Sequence, residues 1–282
     1  MLANLNDVLR PAKEQHYAVG LFNSVTLEMT DAIFNAAEKL NAPVIMGTAE
    51  ILLPSASLAA VADMVRNRAM HSHVPVVLHY DHGLTFEKCM EAMKLGFTSI
   101  MYDCSTASYE ENVSRLAEMV KIAHAMGVTV EGELGHVGDN EGAGKLTKPS
   151  DYYTKVDQAA DFVSRTGVDA LAIAVGNAHG DYKFPPKLDF ERISEIAAAV
   201  DVPLVLHGGS GLSDNDFREA IRRGIAKVNI FTDINKAQVR GMRQAMDAGV
   251  TAASDMVPYE VEAIQSVVET KMHLFSSEGH AV

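Results

Sequence analysis

Three histidines carry the chemical potential of this sequence. His82 ends Val74–Gly83, V-P-V-V-L-H-Y-D-H-G. His179 lies in Ala172–Gly180, A-I-A-V-G-N-A-H-G, and His207 in Pro203–Gly209, P-L-V-L-H-G-G. Each follows an apolar run that reads as a buried strand. Each stands beside a glycine, where the backbone can turn sharply. Neutral imidazole binds zinc, and three ligands plus one open position is the pattern of a catalytic zinc site. A lone histidine is more often an ordinary core or surface residue, but three at three strand ends make that the weaker reading. His16, His71, His73, His124, His136, His273 and His280 read as surface or loop residues. His79 faces either the interior or the site, and the sequence does not decide which.

Carboxylates stand at the same places. Asp81 precedes His82, at a strand end where a turn can bring both to one mouth. It could polarise a carbonyl or move a proton, or it could orient the histidine. Asp103 and Glu133 end the next two strands and could hold a second cation, cap a helix or form an ion pair. Two stretches look like phosphate cradles: Gly208-Gly209-Ser210-Gly211 and Asn229-Ile230-Phe231-Thr232. Backbone N–H groups and a helix N-terminus favour anions there. Lys227 is the nearest candidate for a Schiff-base lysine, but it is expected at the start of its strand, the wrong end.

These residues need a scaffold that gathers strand ends. Strands are expected at Tyr17–Phe22, Pro43–Gly47, Pro75–Leu78, Ser99–Tyr102, Val128–Glu131, Ala170–Val175, Leu204–Leu206 and Ala226–Ile230. Helices are expected between them, with serine or threonine caps at Ser57, Thr85 and Ser213. Further helices are expected at Val8–Glu14, Asn235–Asp247 and Val257–Phe275. The alternation predicts an α/β fold, a (β/α)8 TIM barrel with extra terminal helices, as one domain over residues 1–282. An open doubly wound sheet is weighed lower, because no G-x-G-x-x-G follows the first strand. Gly135–Thr154 is the longest loop, rich in Gly, Asp, Asn and Lys, and is expected to be a mobile active-site loop.

Composition narrows the partners. A net charge of -13 argues against a nucleic-acid or anionic-membrane surface. It leaves an anionic substrate open, because a site can be locally positive. Cys89 and Cys104 are the only cysteines, which excludes a disulfide framework and fits a reducing cytoplasm. The N-terminus shows no signal-peptide pattern, and no apolar run is long enough to span a membrane.

In order along the chain stand A-V-G-L-F-N-S, V-L-H-Y-D-H-G, S-I-M-Y-D-C-S, E-G-E-L-G, A-V-G-N-A-H-G, V-L-H-G-G-S-G and K-V-N-I-F-T-D. With these motifs the chain resembles the zinc-dependent class II aldolases, the fructose- and tagatose-bisphosphate aldolase family. The resemblance covers almost the whole chain. It implies reversible cleavage of a ketose 1-phosphate or bisphosphate to dihydroxyacetone phosphate and an aldehyde. Asp81 is then the proton-transferring acid, and His82, His179 and His207 hold zinc. Asp103 and Glu133 match positions that take a second or displaced cation in some members. Gly180, Gly208, Ser210, Asn229 and Thr232 match the donor-phosphate cradle, and Asn23 a substrate-positioning residue. Glu141, in the long loop, matches the carbon base. A monovalent cation, Na+ or K+, and a homodimer or homotetramer fit the same resemblance.

Two departures stand out. Phe231 replaces the Asp of fructose-type and the Ala of tagatose-type members. The tail, S-S-E-G-H-A-V, lacks the Arg that meets a second phosphate in many members. The expected acceptor is therefore not glyceraldehyde 3-phosphate. Fructose- or tagatose-1,6-bisphosphate aldolase proper is the alternative. A non-catalytic accessory barrel and a zinc hydrolase are the readings of other classes; the strand-borne H-x-H common in the hydrolases is absent.

Overall fold

The computed structural model describes residues 1–139, 152–179 and 187–281, apart from the side chains of Gly138, Asp139 and His179. Its strands are β1 (Leu2–Ala3), β2 (Val19–Asn23), β3 (Val44–Ala49), β4 (Val76–Gly83), β5 (Ser99–Tyr102), β6 (Thr129–Leu134), β7 (Gly138–Asp139), β8 (Ala170–Ile173), β9 (Ala178–His179), β10 (Leu204–Leu206) and β11 (Ile225–Ile230). Its helices are α1 (Leu5–Gln15), α2 (Leu27–Lys39), α3 (Leu58–Ala69), α4 (Phe86–Lys94), α5 (Tyr109–Ala125), α6 (Val156–Thr166), α7 (Phe190–Ala199), α8 (Asp214–Arg222), α9 (Thr232–Asp247) and α10 (Ala253–Leu274).

Strands β2, β3, β4, β5, β6, β8, β10 and β11 pair in that order, all parallel, and β11 pairs back with β2. The ring is closed, so the fold is the expected (β/α)8 barrel with extra terminal helices. Strand alternation divides the core in two. Outward residues such as Phe22, Met46, Leu78, Ile100, Val130, Leu171 and Val228 pack under the helices. Inward residues Val19, Leu21, Ile45, Val77, Ala172 and Val205 fill the lower barrel, where Leu5, Val8, Leu9 and Ala12 of α1 plug its floor. Helix α1 starts on a capping box between Asn4 and Asp7. The expected caps Ser57, Thr85 and Ser213 each accept a backbone N–H.

Some boundaries differ from expectation, and each has a physical reason. The two-residue strands β1, β7 and β9 are too short to leave a periodic signal. Helix α9 begins at Thr232, directly after β11, without a side-chain cap. Helix α10 begins at Ala253, ahead of the expected Val257. Strand β4 runs through to Gly83, past its apolar run. There His82 takes a left-handed backbone, φ 45°, and the register with β5 shifts between Tyr80 and Gly83. That kink breaks the alternation, so that adjacent Asp81 and His82 both reach the barrel mouth.

The tail returns to the bottom of the barrel. Gly279 and Ala281 donate to the carbonyls of Leu40 and Asn41, and His280 stacks on Tyr17 at 4.0 Å. These partners precede β3 and β2, at the N-terminal end of the strands. The tail therefore lies on the face opposite the strand-end site, and its lack of an Arg does not bear on this chain's cleft. Cys89 and Cys104 are buried and unpaired. No described helix is long and apolar enough to cross a membrane.

Candidate active site

Asp81 sits on β4, 2% exposed, pointing into the upper barrel. The amides of Asn23 and Asn229 donate to its two oxygens, at 2.9 and 3.0 Å. Burial alone would raise its pKa, but positive charge from His82, His207 and Lys227 wins and holds it well below the usual carboxylate range. Asp81 is thus a fixed, ionised carboxylate at the floor of a cleft of about 450 Å³.

Beside it runs a continuous polar chain. Lys227 Nζ donates to Glu131 Oε2 at 2.7 Å, and Glu131 Oε1 meets His207 Nε2 at 2.8 Å. His207 Nδ1 lies 2.7 Å from His82 Nε2, and His82 Nδ1 lies 2.8 Å from Asp103 Oδ2. The two carboxylates can only accept, so they fix a proton on His207 Nε2 and on His82 Nδ1. The other two ring nitrogens then face each other as acceptors. Two lone pairs at that distance repel unless a proton or a cation lies between them. In the metal-free protein a proton serves: burial opposes charge on His82, but Asp81, Asp103 and Glu133 outweigh it and raise its pKa to about 10. Asp81, His82 and His207 also offer ligand atoms within 4.8 Å of one another, a donor set suited to a divalent cation once the two rings part slightly.

The third histidine is brought close by its backbone. A Cβ on Gly208 would come within 2.0 Å of the carbonyl oxygen of Ala178, so β9 runs against the turn that follows His207. Asn177 Nδ2 donates to the His207 carbonyl at 3.1 Å across the same seam. The His179 side chain lies outside the described residues, as do Gly180 and Glu141.

Residues 3–280 match the profile of the family described as fructose-bisphosphate aldolase class-II. The chain belongs to that family. The aldolase is a lyase whose reaction is aldol cleavage of a phosphorylated ketose. A fructose-bisphosphate aldolase of Staphylococcus epidermidis is 39% identical over 286 residues, 99% of each chain. The YdjI protein of Escherichia coli K12 is 39% identical over 284 residues, all of both chains. Among solved structures, the YdjI aldolase superposes with a TM-score of 0.90 at 36% identity over all of both chains. A putative fructose-1,6-biphosphate aldolase from Coccidioides immitis gives 0.87 at 31% identity, over 98% of this chain and 96% of that one. A non-catalytic accessory role and a hydrolase are set aside by this membership.

A second acidic group of the aldolase shares His82. The ligand atoms of His82, Asp103 and Glu133 also lie within 4.8 Å. Burial and the charge of Asp103 raise Glu133 to a pKa of about 8, and its buried Oε2 has no partner. Burial would raise Asp103 too, but hydrogen bonds to His82 and Ser105 and the charge on His82 hold it low. The cleft is lined on its other side by Gly208, Ser210, Asn229, Ile230, Phe231 and Thr232, with Asn23 beside them. Gly209 stands behind this wall; its N–H bonds the Asn229 carbonyl at 3.1 Å and ties the two phosphate-facing turns together.

One residue is placed differently from expectation, and two are placed where the sequence had left the choice open. Lys227 is not at the wrong end of its strand: it lies mid-strand in β11, fully buried, and pairs with Glu131 rather than standing free for a Schiff base. His136, read as a surface or loop residue, is a loop residue that lines the cleft with a buried and unpartnered Nδ1. His79 lies in the interior beneath the site, its Nδ1 2.8 Å from Ser99 Oγ. Burial and Lys227 lower its pKa to about 3, so it stays neutral. Glu131 escaped the sequence reading altogether. Its signal was the two-residue step from Glu131 to Glu133, which puts both on one strand face.

Proposed function

We propose that the chain cleaves a ketose 1-phosphate to dihydroxyacetone phosphate and an aldehyde with zinc as its cofactor. His82 and His207 would hold the ion, with His179 as third imidazole; the facing ring nitrogens of His82 and His207 carry this reading. When bound, zinc supplies Lewis-acid charge at the substrate's carbonyl oxygen. Everything else falls to the chain. Asp81, kept ionised and aimed by two amides, takes the proton from the hydroxyl that becomes the aldehyde oxygen, and returns it in the reverse direction. Glu141 would move the proton on the donor carbon. The donor phosphate would sit against Gly180, Gly208, Ser210, Asn229 and Thr232, where the uncapped start of α9 favours an anion. Asp103 and Glu133 would serve a second or displaced cation.

The test is zinc content measured beside proton exchange into dihydroxyacetone phosphate. Native protein should bind one zinc per chain and exchange the donor proton, and His207→Ala should do neither. Full zinc occupancy in that variant would remove His207 from the ligand set. A homodimer or homotetramer and a need for Na+ or K+ belong to the same proposal. Sedimentation velocity reads the first, and rates in salts of a large organic cation read the second.

A further inference from the structure

The cleft has two unlike ends. Its donor end is polar, built by Gly208, Ser210, Asn229 and Thr232. Its side beyond β3 and β4 is hydrocarbon, with Ile51 and Leu52 from the turn after β3 and Leu84 after β4, and Phe231 adds a ring from the end of β11, between Ile230 and Thr232. Ile51 and Leu84 are 84% and 59% exposed, an unusual display for two such side chains at one mouth. They are also held in place. Glu50 Oε2 accepts from the Tyr80 hydroxyl at 2.8 Å and from the Leu84 N–H at 2.7 Å, clamping the two turns together.

Charge at this end points the same way. No lysine or arginine is among the described residues that line the cleft, while Asp81, Asp103 and Glu133 are. The tail is bound on the opposite face. A phosphate or carboxylate on the acceptor would meet carbon and carboxylates, with no charge-assisted partner among the described residues. A sugar hydroxyl aimed at Phe231 would be left unpaired.

We propose that Ile51, Leu52, Leu84 and Phe231 form the acceptor subsite, and that it takes an uncharged aldehyde with a short apolar chain. This rests on the donor half being dihydroxyacetone phosphate. Contact with the wall stabilises such a chain by burial, and each methylene that fits is worth about 10- to 200-fold in discrimination.

The experiment runs condensation with the zinc-loaded enzyme. It compares kcat/KM for 3-methylbutanal and for glyceraldehyde 3-phosphate at saturating dihydroxyacetone phosphate. Proton exchange into dihydroxyacetone phosphate alone, with no aldehyde present, is measured in parallel. The expected result is exchange together with at least about a tenfold preference for 3-methylbutanal. Leu84→Arg should shift that ratio at least about tenfold toward the phosphorylated aldehyde, by supplying the missing cation. If that variant does not fold, Ile51→Lys places a cation at a still more exposed position. Exchange with a preference for glyceraldehyde 3-phosphate overturns the subsite and leaves the donor reading standing. Absence of exchange overturns the donor reading, and the subsite with it. An unchanged ratio in a folded cation variant also overturns the subsite.

Discussion

The lower and upper halves of the barrel interior are lined by the same strands under opposite rules. Below, Val19, Leu21, Ile45, Val77 and Val205 close on the apolar face of α1. One pleat repeat further on, roughly 7 Å, those strands present Asn23, His79, Asp81 and His207, with Glu131, Lys227 and Asn229 from their neighbours. The lower half is mainly apolar, with the Thr129 hydroxyl accepting from the Leu5 N–H at 3.1 Å. The upper half buries charges, and tolerates them only because nearly every one has a partner. Stability and chemistry are thus stacked along one tube rather than mixed, and substitutions in the two layers should fail in different ways.

The sharpest break should come at Asp81. Asp81→Ala is expected to cut cleavage by about 10²- to 10⁴-fold with zinc retained, and to lower the melting temperature because His82 and Lys227 lose a buried counter-charge. A loss below about tenfold with zinc retained would make Asp81 an orienting group instead. Lys227→Met comes next, because it strands Glu131 as a buried unpaired charge. A cost of about 3–5 kcal/mol is expected in urea unfolding, with weaker zinc binding because His207 loses its fixed tautomer. Adding Glu131→Leu should restore most of that stability and none of the zinc affinity. In the lower layer, Leu9→Ala should cost about 2–5 kcal/mol and leave kcat/KM unchanged; a large kinetic effect would show that the layers are coupled.

A pH series on metal-stripped protein sharpens the contrast further. Glu131 falls from the model-compound value of 4.5 to about 2, so its contribution is present above 4.5 and is lost as pH falls through 2. His82 rises from 6.5 to about 10, so its contribution is full below 6.5 and is lost as pH rises through 10. Glu133, raised from 4.5 to about 8, favours the fold below 4.5 and loses that as pH rises through 8. His79, lowered from 6.5 to about 3, contributes fully above 6.5 and loses that as pH falls through 3. This offsets Glu133 between 4.5 and 6.5, so urea midpoints should peak between about pH 4.5 and 6.5. Zinc, which needs deprotonated imidazole, should flatten the alkaline fall. The smallest effect is expected at the tail: His280→Ala should lose at most about 1.5 kcal/mol from its ring contact and nothing in catalysis.

The upper layer was the more legible of the two in the sequence, but only at its rim. His82, Asp81, His207, Asn229 and Ser210 announced themselves because a polar residue that ends an apolar run has no local structural reason to be there. Closure of the ring followed from alternation. Lys227, Glu131 and His79 were hidden because a charge inside a strand is paired by topology, and its partner lies many residues away, Glu131 being 96 positions from Lys227. The position of the tail was not legible for the same reason, since nothing local tells which end of a barrel a terminal segment returns to. His136 follows β6 in an irregular stretch, where no periodicity fixes which way a side chain turns.

The turn at Gly208 and Gly209 has a consequence for how this enzyme can diverge. A Cβ at Gly208 would stand 2.0 Å from the Ala178 carbonyl oxygen, and one at Gly209 2.7 Å from Val228 and 2.9 Å from the Asn229 carbonyl oxygen. Mutation is blocked there by main chain, which cannot step aside. At Ile51 and Leu84 the side chains stand largely free, and drift meets no such barrier. One end of the cleft is written in backbone and the other in side chains. If the proposed donor and acceptor assignments hold, point mutation would leave the first end nearly intact and vary the second, so such an enzyme would keep its donor while changing its acceptor.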